Sequence, residues 1–160
     1  MHLKLPFNES KPIVGEASVI IDKPISDVFG YIGEHFFENY PKWATEVVEF
    51  EALDGENVFV GAKARQVRKD KDIEIESIFA ITDYEYDSRL VFQGLNEPYK
   101  HSYLLDDSEP KKLTKLTFRF ELLELDIFMR PFEKLIRYAI EDGAETTVGS
   151  IKELILDECS

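Results

Sequence analysis

The sequence predicts an α+β protein with a single antiparallel sheet, two short helices near its start and one long helix at its end. Three observations favour this class. A short β-branched run near the start is followed by apolar residues at helical spacing. The middle of the chain alternates apolar and polar residues with a period of two, and the last thirty or so residues return to a period of 3.6.

The first strand is predicted at residues 17–21, which are mainly β-branched. Pro24 then suits the first position of a helix, because that position does not use its backbone N–H. Gly33 is predicted to end this helix. A second short helix is predicted over residues 34–40, with Pro41 as its end. Residues 1–14 show little periodicity, so we interpret them as an N-terminal arm that precedes one domain over residues 15–160.

About six meandering strands are predicted to follow. The Asp54-Gly55 pair is a strong turn signal between the first two of them. The last strand has the clearest alternation, which is typical of an antiparallel strand with one face exposed to solvent. The strands are expected near residues 47–53, 58–68, 73–84, 90–92, 99–105 and 115–122.

The long final helix is predicted to begin after Pro131. Its apolar residues form a continuous stripe, which we expect to pack on the sheet. Residues 132–136 and 151–155 are predicted to close the core at the two ends of the helix. The middle of the stripe carries small residues, among them Gly143 and Thr147. These leave room for a ligand on one interpretation and allow close helix–sheet contact on the other.

The composition excludes several classes of function. The 160 residues correspond to about one domain, and 19 Lys+Arg against 32 Asp+Glu give a net charge of −13. Such a chain repels phosphate backbones and anionic lipid head groups, so no nucleic-acid partner is expected. The single cysteine, Cys159, excludes a disulfide framework. Without a signal peptide or an apolar run long enough to span a bilayer, we expect a soluble cytoplasmic protein with no membrane span.

This order of elements resembles the helix-grip fold of the START/Bet v 1-like superfamily, also called SRPBCC or polyketide cyclase/dehydrase-like. The resemblance covers residues from about 15 to 157. It implies a curved seven-stranded antiparallel sheet wrapped around the long C-terminal helix, with a cavity between them for a small apolar ligand. The motifs that carry it are residues 17–29, Tyr40-Pro41-Lys42-Trp43, Val60-Gly61, Ile81-Thr82-Asp83-Tyr84 and the terminal helix.

Three rings on one strand are the main candidate site. Tyr99, His101 and Tyr103 alternate and therefore share a face. Because Lys100 has the opposite parity and belongs outside, we expect the three rings to face the cavity. If the strand instead turned this face outward, the three rings would form a solvent-exposed ladder. His101 could act as a general acid or base, or as a hydrogen-bonded pocket residue.

Other candidates follow from the same inward phase. Gln66 and Ser77 are the polar ones, and Trp43 is expected near the cavity mouth. Phe79, Phe92 and Phe118 are expected to line the core. With Tyr99, His101, Tyr103, Gly143 and Thr147, these complete the predicted ligand-binding set.

The sequence carries no recognisable catalytic constellation. Glu74 and Glu76 form a carboxylate pair, but they alternate against an apolar face and are expected to point outward. The three histidines lack metal-ligand spacing, so no metal is predicted. The usual dinucleotide, nucleotide and hydrolase motifs are absent from the sequence, and no cofactor is predicted.

Three functions remain open at this stage. The first is binding or transport of a small hydrophobic or aromatic ligand that is lipid-, polyketide- or quinone-like. The second is a polyketide cyclase or dehydratase in which His101 and the tyrosines steer proton transfer. The third is an acidic protein-interaction module without a ligand. The sequence leaves the ligand, the catalytic residues and the oligomeric state undetermined.

Overall fold

Seven strands form one antiparallel sheet in the computed structural model, which describes residues 12–108 and 112–159. The α+β helix-grip prediction is confirmed, including the two short helices after the first strand. The strands are β1 (Ile13–Ile21), β2 (Val47–Ala52), β3 (Lys63–Asp70), β4 (Ile73–Glu85), β5 (Arg89–Gly94), β6 (Tyr99–Ser108) and β7 (Leu113–Leu122).

Three α-helices accompany the sheet: α1 (Ile25–Phe29), α2 (Phe36–Trp43) and α3 (Glu133–Glu158). A single π turn, Gly30–Glu34, joins α1 to α2, and a 3₁₀ segment, Ile127–Phe132, leads into α3. The 26 residues of α3 make a rod about 39 Å long. None of these helices, within the described residues, has both the length and the apolar character needed to cross a membrane.

The strand order is β1-β7-β6-β5-β4-β3-β2, so the first two strands in sequence lie at opposite edges of the sheet. Helices α1 and α2 connect these two edges. We call the face against which α2 and α3 pack the inner face. On β7, Leu116 and Phe118 are buried on this face, while Lys115 is exposed on the other, as the alternation predicted.

The core is mainly an aromatic cluster between α2 and the inner face. The rings of Phe79 and Phe92 stack with their centroids 4.1 Å apart. Phe36 lies over both rings, at 6.3 Å and 5.6 Å. Offset and edge-on pairs of this kind add stability beyond the area that they bury. The cluster therefore anchors α2 to the strands that carry the candidate site.

Helix α3 is buried most deeply over its second half. Ala144, Val148 and Ile151 are almost completely buried. In contrast, Phe132 is 52 % exposed and Leu135 is 67 % exposed, so the prediction that residues 132–136 close the core is wrong. Leu135 lies on the side of the helix opposite to Ala144, whereas Ile136 and Ile140 continue the buried face but are only partly buried.

Pro41 does not end the second helix as predicted, because α2 continues through it to Trp43. Proline in a helix interior costs a backbone hydrogen bond. Here Trp43 is 5 % exposed and packs against Tyr103, with 5.7 Å between the ring centroids. Burial of this large ring offsets the lost hydrogen bond and extends the helix.

Two strand boundaries also differ from the sequence prediction. Strand β3 begins at Lys63 rather than at residue 58, because Gly61 has a φ of +98° and bends the chain just before it. Strand β1 begins at Ile13, so it includes two residues of the predicted arm. Residues 1–11 of that arm lie outside the described residues.

Candidate functional site

The three alternating rings of β6 lie on the inner face. Tyr99 is 5 % exposed and Tyr103 is 1 % exposed. The indole Nε1 of Trp43 donates a hydrogen bond to the hydroxyl of Tyr103 over 3.1 Å. His101 lies between the two tyrosines on the strand, and its ring contacts that of Phe92, 4.4 Å away between centroids. The inward phase is therefore observed, and the solvent-exposed ladder is excluded.

A buried polar network lies beside these rings and joins four elements. The hydroxyl of Tyr40 donates to Oε1 of Gln66 over 2.9 Å. Nε2 of Gln66 lies 3.4 Å from both Oγ of Ser77 and the hydroxyl of Tyr99. Ser77 and Tyr99 share a further hydrogen bond of 3.0 Å. These groups therefore satisfy one another, as buried polar groups normally do.

His101 is the exception in this environment. Both of its ring nitrogens are buried and have no hydrogen-bond partner among the described residues, although the residue as a whole keeps some exposed surface. Burial and the nearby charge of Arg68 lower the pKa of His101 to about 3, so the imidazole is neutral at pH 7. The rings around it belong to Phe92, Tyr99, Phe118 and Phe120, at centroid distances of 4.4–5.5 Å.

A neutral imidazole has one N–H donor and one bare nitrogen acceptor. Leaving both unpaired in an apolar environment costs about 1–3 kcal/mol for each group, so a partner is expected. A ligand hydroxyl or carbonyl could supply it. Chemically, this position can orient an oxygen of a flat apolar molecule without carrying a charge of its own.

Arg68 is the inner-face residue that sequence reasoning missed. It lies two residues after Gln66 on β3 and so shares its parity, and this was the available signal. Its Nε is buried without an acceptor among the described residues, and its Nη2 lies 3.5 Å from Oε1 of Glu46. Its positive charge contributes to the lowered pKa of His101, so the guanidinium acts on the imidazole through its charge.

One end of the inner face carries exposed apolar side chains. Strand β4 begins at this end, and its inward-phase residues Ile73 and Ile75 are 64 % and 48 % exposed. Ile75 pairs with Arg68 across the two strands. Helix α3 also begins at this end, after the 3₁₀ segment in which Phe128 is 82 % exposed. Large patches of exposed apolar side chains often mark binding regions in proteins.

Trp43 is not exposed near a cavity mouth, where it was predicted to lie. It is buried between α2 and Tyr103, so a ligand would meet it only through the core. Phe79, Phe92 and Phe118 are buried in the core, as expected.

Gly143 and Thr147 lie on α3 away from the aromatic cluster. Gly143 is exposed, and a Cβ there would meet open space, so no close helix–sheet contact explains this glycine. The hydroxyl of Thr147 donates to the carbonyl oxygen of Gly143 over 2.9 Å, which occupies it within the helix. Contact of either residue with a ligand stays a prediction.

The charged residues of the strands lie outside this site. Glu74 and Glu76 are exposed, and Glu76 accepts a hydrogen bond from Nε of Arg65 over 2.7 Å. Across residues 12–108 and 112–159, no cluster of three His, Cys, Asp or Glu side chains has a geometry suited to a metal ion.

Comparison with known proteins gives a family match over residues 12–155, to the family described as polyketide cyclase / dehydrase and lipid transport. No curated protein matches the chain.

Solved structures with similar folds include three bacterial proteins. The protein TTHA0849 from Thermus thermophilus is 16% identical, with a TM-score of 0.73 over 92% of this chain and 99% of that one. The Zhui aromatase/cyclase from Streptomyces sp. R1128 is 9% identical, with a TM-score of 0.73 over 92% of this chain and 95% of that one. A polyketide-cyclase-like protein from Corynebacterium glutamicum is 18% identical, with a TM-score of 0.63 over 94% and 95%. At these identities the likeness establishes the fold alone.

Proposed function

Because the chain belongs to the polyketide cyclase / dehydrase and lipid transport family, we propose that it binds a small apolar or aromatic molecule. The molecule would lie on the inner face between the sheet and the first half of α3. The observation that carries the proposal is that both ring nitrogens of His101 are buried among aromatic side chains and have no hydrogen-bond partner in the described part of the chain. A ligand that carries an oxygen would pair with the imidazole and stack on those rings.

The exposed apolar end of the inner face supports the same proposal. Ile75 and Phe128 would provide an apolar path to His101, since both lie at the end where α3 leaves the sheet uncovered. Binding there would remove their side chains from water, at about 25 cal/mol for each Å² of apolar surface buried. Burial of apolar surface would supply most of the affinity, and the hydrogen bond to His101 would set the orientation of the ligand.

A cyclase-type enzyme is the second candidate, favoured by the fold shared with an aromatase/cyclase. Efficient general bases have a pKa near the working pH. The pKa of about 3 makes His101 a weak base in the ligand-free protein. The same neutral imidazole is well suited to a hydrogen bond, so simple binding is the better supported function.

Native mass spectrometry of the protein purified from its host tests the proposal. We expect a co-purifying apolar molecule of one or a few species. His101→Phe should lower its occupancy about tenfold, because one net hydrogen bond of about 1.4 kcal/mol is lost. Lys100→Gln, on the opposite face of the same strand, is the matched control and should retain the molecule.

The proposal would be contradicted if the purified protein carries no co-purifying molecule and also does not bind N-phenyl-1-naphthylamine, a neutral apolar probe. Equal ligand occupancy in wild type and His101→Phe would show that His101 does not contact the ligand. It would then favour a binding position elsewhere on the inner face.

A further inference from the structure

Two arginines on β3 provide a direct comparison. Arg65 lies on the outer face, where its Nε donates to Glu76 over 2.7 Å and its Nη2 contacts Glu49 at 3.4 Å. Arg68 lies three residues later on the inner face, where its Nη2 lies 3.5 Å from Glu46. Its Nε is buried and has no acceptor among the described residues. The donors of Arg65 are therefore paired with carboxylates, whereas Arg68 keeps one unused beside the candidate site.

The unused donor of Arg68 has a definite geometry. In a guanidinium group, Nε–H and one Nη–H point in parallel and match the two oxygens of a carboxylate. At Arg68 the Nε–H is available, and Nη2 is held only at the limit of hydrogen-bond distance. A carboxylate can use both donors at once, whereas a single carbonyl oxygen uses one.

The charges around Arg68 also favour an anion. His101 lies on the same inner face and is neutral at pH 7, so it adds no positive charge. Arg68 is therefore the group there that can attract an anion. Glu46 is the acidic group that contacts Arg68, at long range and with its side chain 43% exposed. The side chain of Arg68 is itself 42% exposed, so solvent screens this long ion pair and a ligand carboxylate can compete with Glu46 for the guanidinium group.

Resting on the function proposed above, we propose that Arg68 binds the carboxylate of the ligand, so that the protein selects apolar or aromatic acids over neutral molecules of the same shape. The apolar body of the acid lies on the rings around His101 and Phe120. The net charge of −13 repels acids at a distance. Selection therefore comes from this local contact.

The test compares 2-naphthoate with 2-naphthamide, which have the same ring system and differ in charge. Binding is followed by NMR titration of ¹⁵N-labelled full-length protein at pH 7.5. We expect wild type to bind the acid at least tenfold more tightly than the amide. Arg68→Met should remove this preference and leave the affinity for the amide unchanged, while Arg65→Met should retain it.

Arg68→Lys keeps the charge and loses the parallel donors, so we expect it to recover only part of the preference. If wild type binds both compounds equally, the selection of acids is overturned while the proposed binding function stands. The same holds if Arg68→Met weakens acid and amide alike. If neither compound shifts resonances of the inner face, the binding function itself is contradicted, and the acid selection with it.

Discussion

At the scale of single residues, His101 is a buried polar side chain that lowers the stability of the ligand-free protein. Its neighbours on the inner face, Ser77 and Tyr99, hydrogen-bond to each other, but neither ring nitrogen of His101 has a partner among the described residues. Sites that bind ligands often keep such groups at a cost in stability. The ligand-free protein should therefore become more stable when the imidazole is replaced by an apolar ring.

His101→Phe should raise the free energy of unfolding by about 1 kcal/mol at pH 7, because it removes two unpaired polar atoms from an apolar environment. Urea denaturation of ligand-free protein measures this. The exposed variant His35→Gln is the control and should stay within about 0.5 kcal/mol of wild type. A clear loss of stability in His101→Phe would mean that the imidazole has a structural partner.

The same histidine should make stability depend on pH. Its pKa is lowered to about 3 by burial and by Arg68, whereas an unfolded imidazole titrates near 6.5. Between these two values the unfolded chain binds the extra proton. The free energy of unfolding therefore falls as the pH falls from 6.5 towards 3, by up to about 1.4 kcal/mol for each pH unit.

The difference in unfolding free energy between wild type and His101→Phe isolates this effect from the titration of carboxylates. We expect the difference to grow steadily between pH 7 and pH 4.5 in urea titrations. Parallel curves for wild type and His101→Phe would show that the imidazole is not held neutral by its surroundings.

The sequence predicted which way the rings of β6 point but did not single out Arg68. Alternation on β6 indicated the common face of Tyr99, His101 and Tyr103, because side-chain direction follows directly from strand periodicity. Arg68 was overlooked although its parity with Gln66 indicated the same face, since a charged side chain was assumed to point outward. The contact of Arg68 is made between its Nη2 and Glu46, 22 residues away in sequence. A pattern of neighbouring residues cannot predict a contact of that separation.

At the scale of elements, α3 is fixed to the protein at two points. Its C-terminal end carries Glu158, which accepts hydrogen bonds from the hydroxyl of Tyr31 and from Nζ of Lys42. In its first half, Ile140 lies so close to Gly15 of β1 that a Cβ at Gly15 would collide with the helix. Periodicity predicted an apolar stripe along all of α3, but which part meets the sheet depends on these long-range contacts. That is why the boundary of its buried half could not be predicted.

Two glycines test this arrangement of α3 against β1. Gly15→Ala should lower the free energy of unfolding by about 1–3 kcal/mol, because the added methyl group collides with the backbone and side chain of Ile140. Gly143→Ala should raise it by up to about 1 kcal/mol, because alanine is the better helix former and open space surrounds that position.

Chemical denaturation of both variants beside wild type measures the two effects. Equal tolerance of the two substitutions would show that β1 and α3 are not in close contact. Loss of stability in Gly143→Ala would show that the space beside that position is filled.

At the scale of the whole molecule, the protein is packed at one end and open at the other. Aromatic rings of α2 fill the inner face as far as Tyr103, whereas Ile75, Phe128 and Leu135 remain exposed beyond His101. Segments with few buried contacts open locally at low free-energy cost. The first half of α3 should therefore be the less protected half.

Amide hydrogen exchange should show faster exchange for residues 133–143 than for residues 144–155 of the same helix. Binding of a ligand should slow the first half and change the second half little, because Val148, Ile151 and Ile155 of the second half are already buried in the core. Uniform protection along α3 in the ligand-free protein would contradict the open end. Strand β7, paired on both sides, provides the internal reference.

The position of β1 at the edge of the sheet has a consequence for how the chain is made. The hydroxyls of Ser18 on β1 and Thr117 on β7 share a hydrogen bond of 2.7 Å, although they lie 99 residues apart in sequence. The first strand of the sheet in sequence, β1, therefore waits for the last one, β7, before the two can pair. Contacts of such high sequence separation slow folding. The sheet can be completed only after β7 has been made, and until then β1 exposes unpaired backbone groups with which another chain could pair.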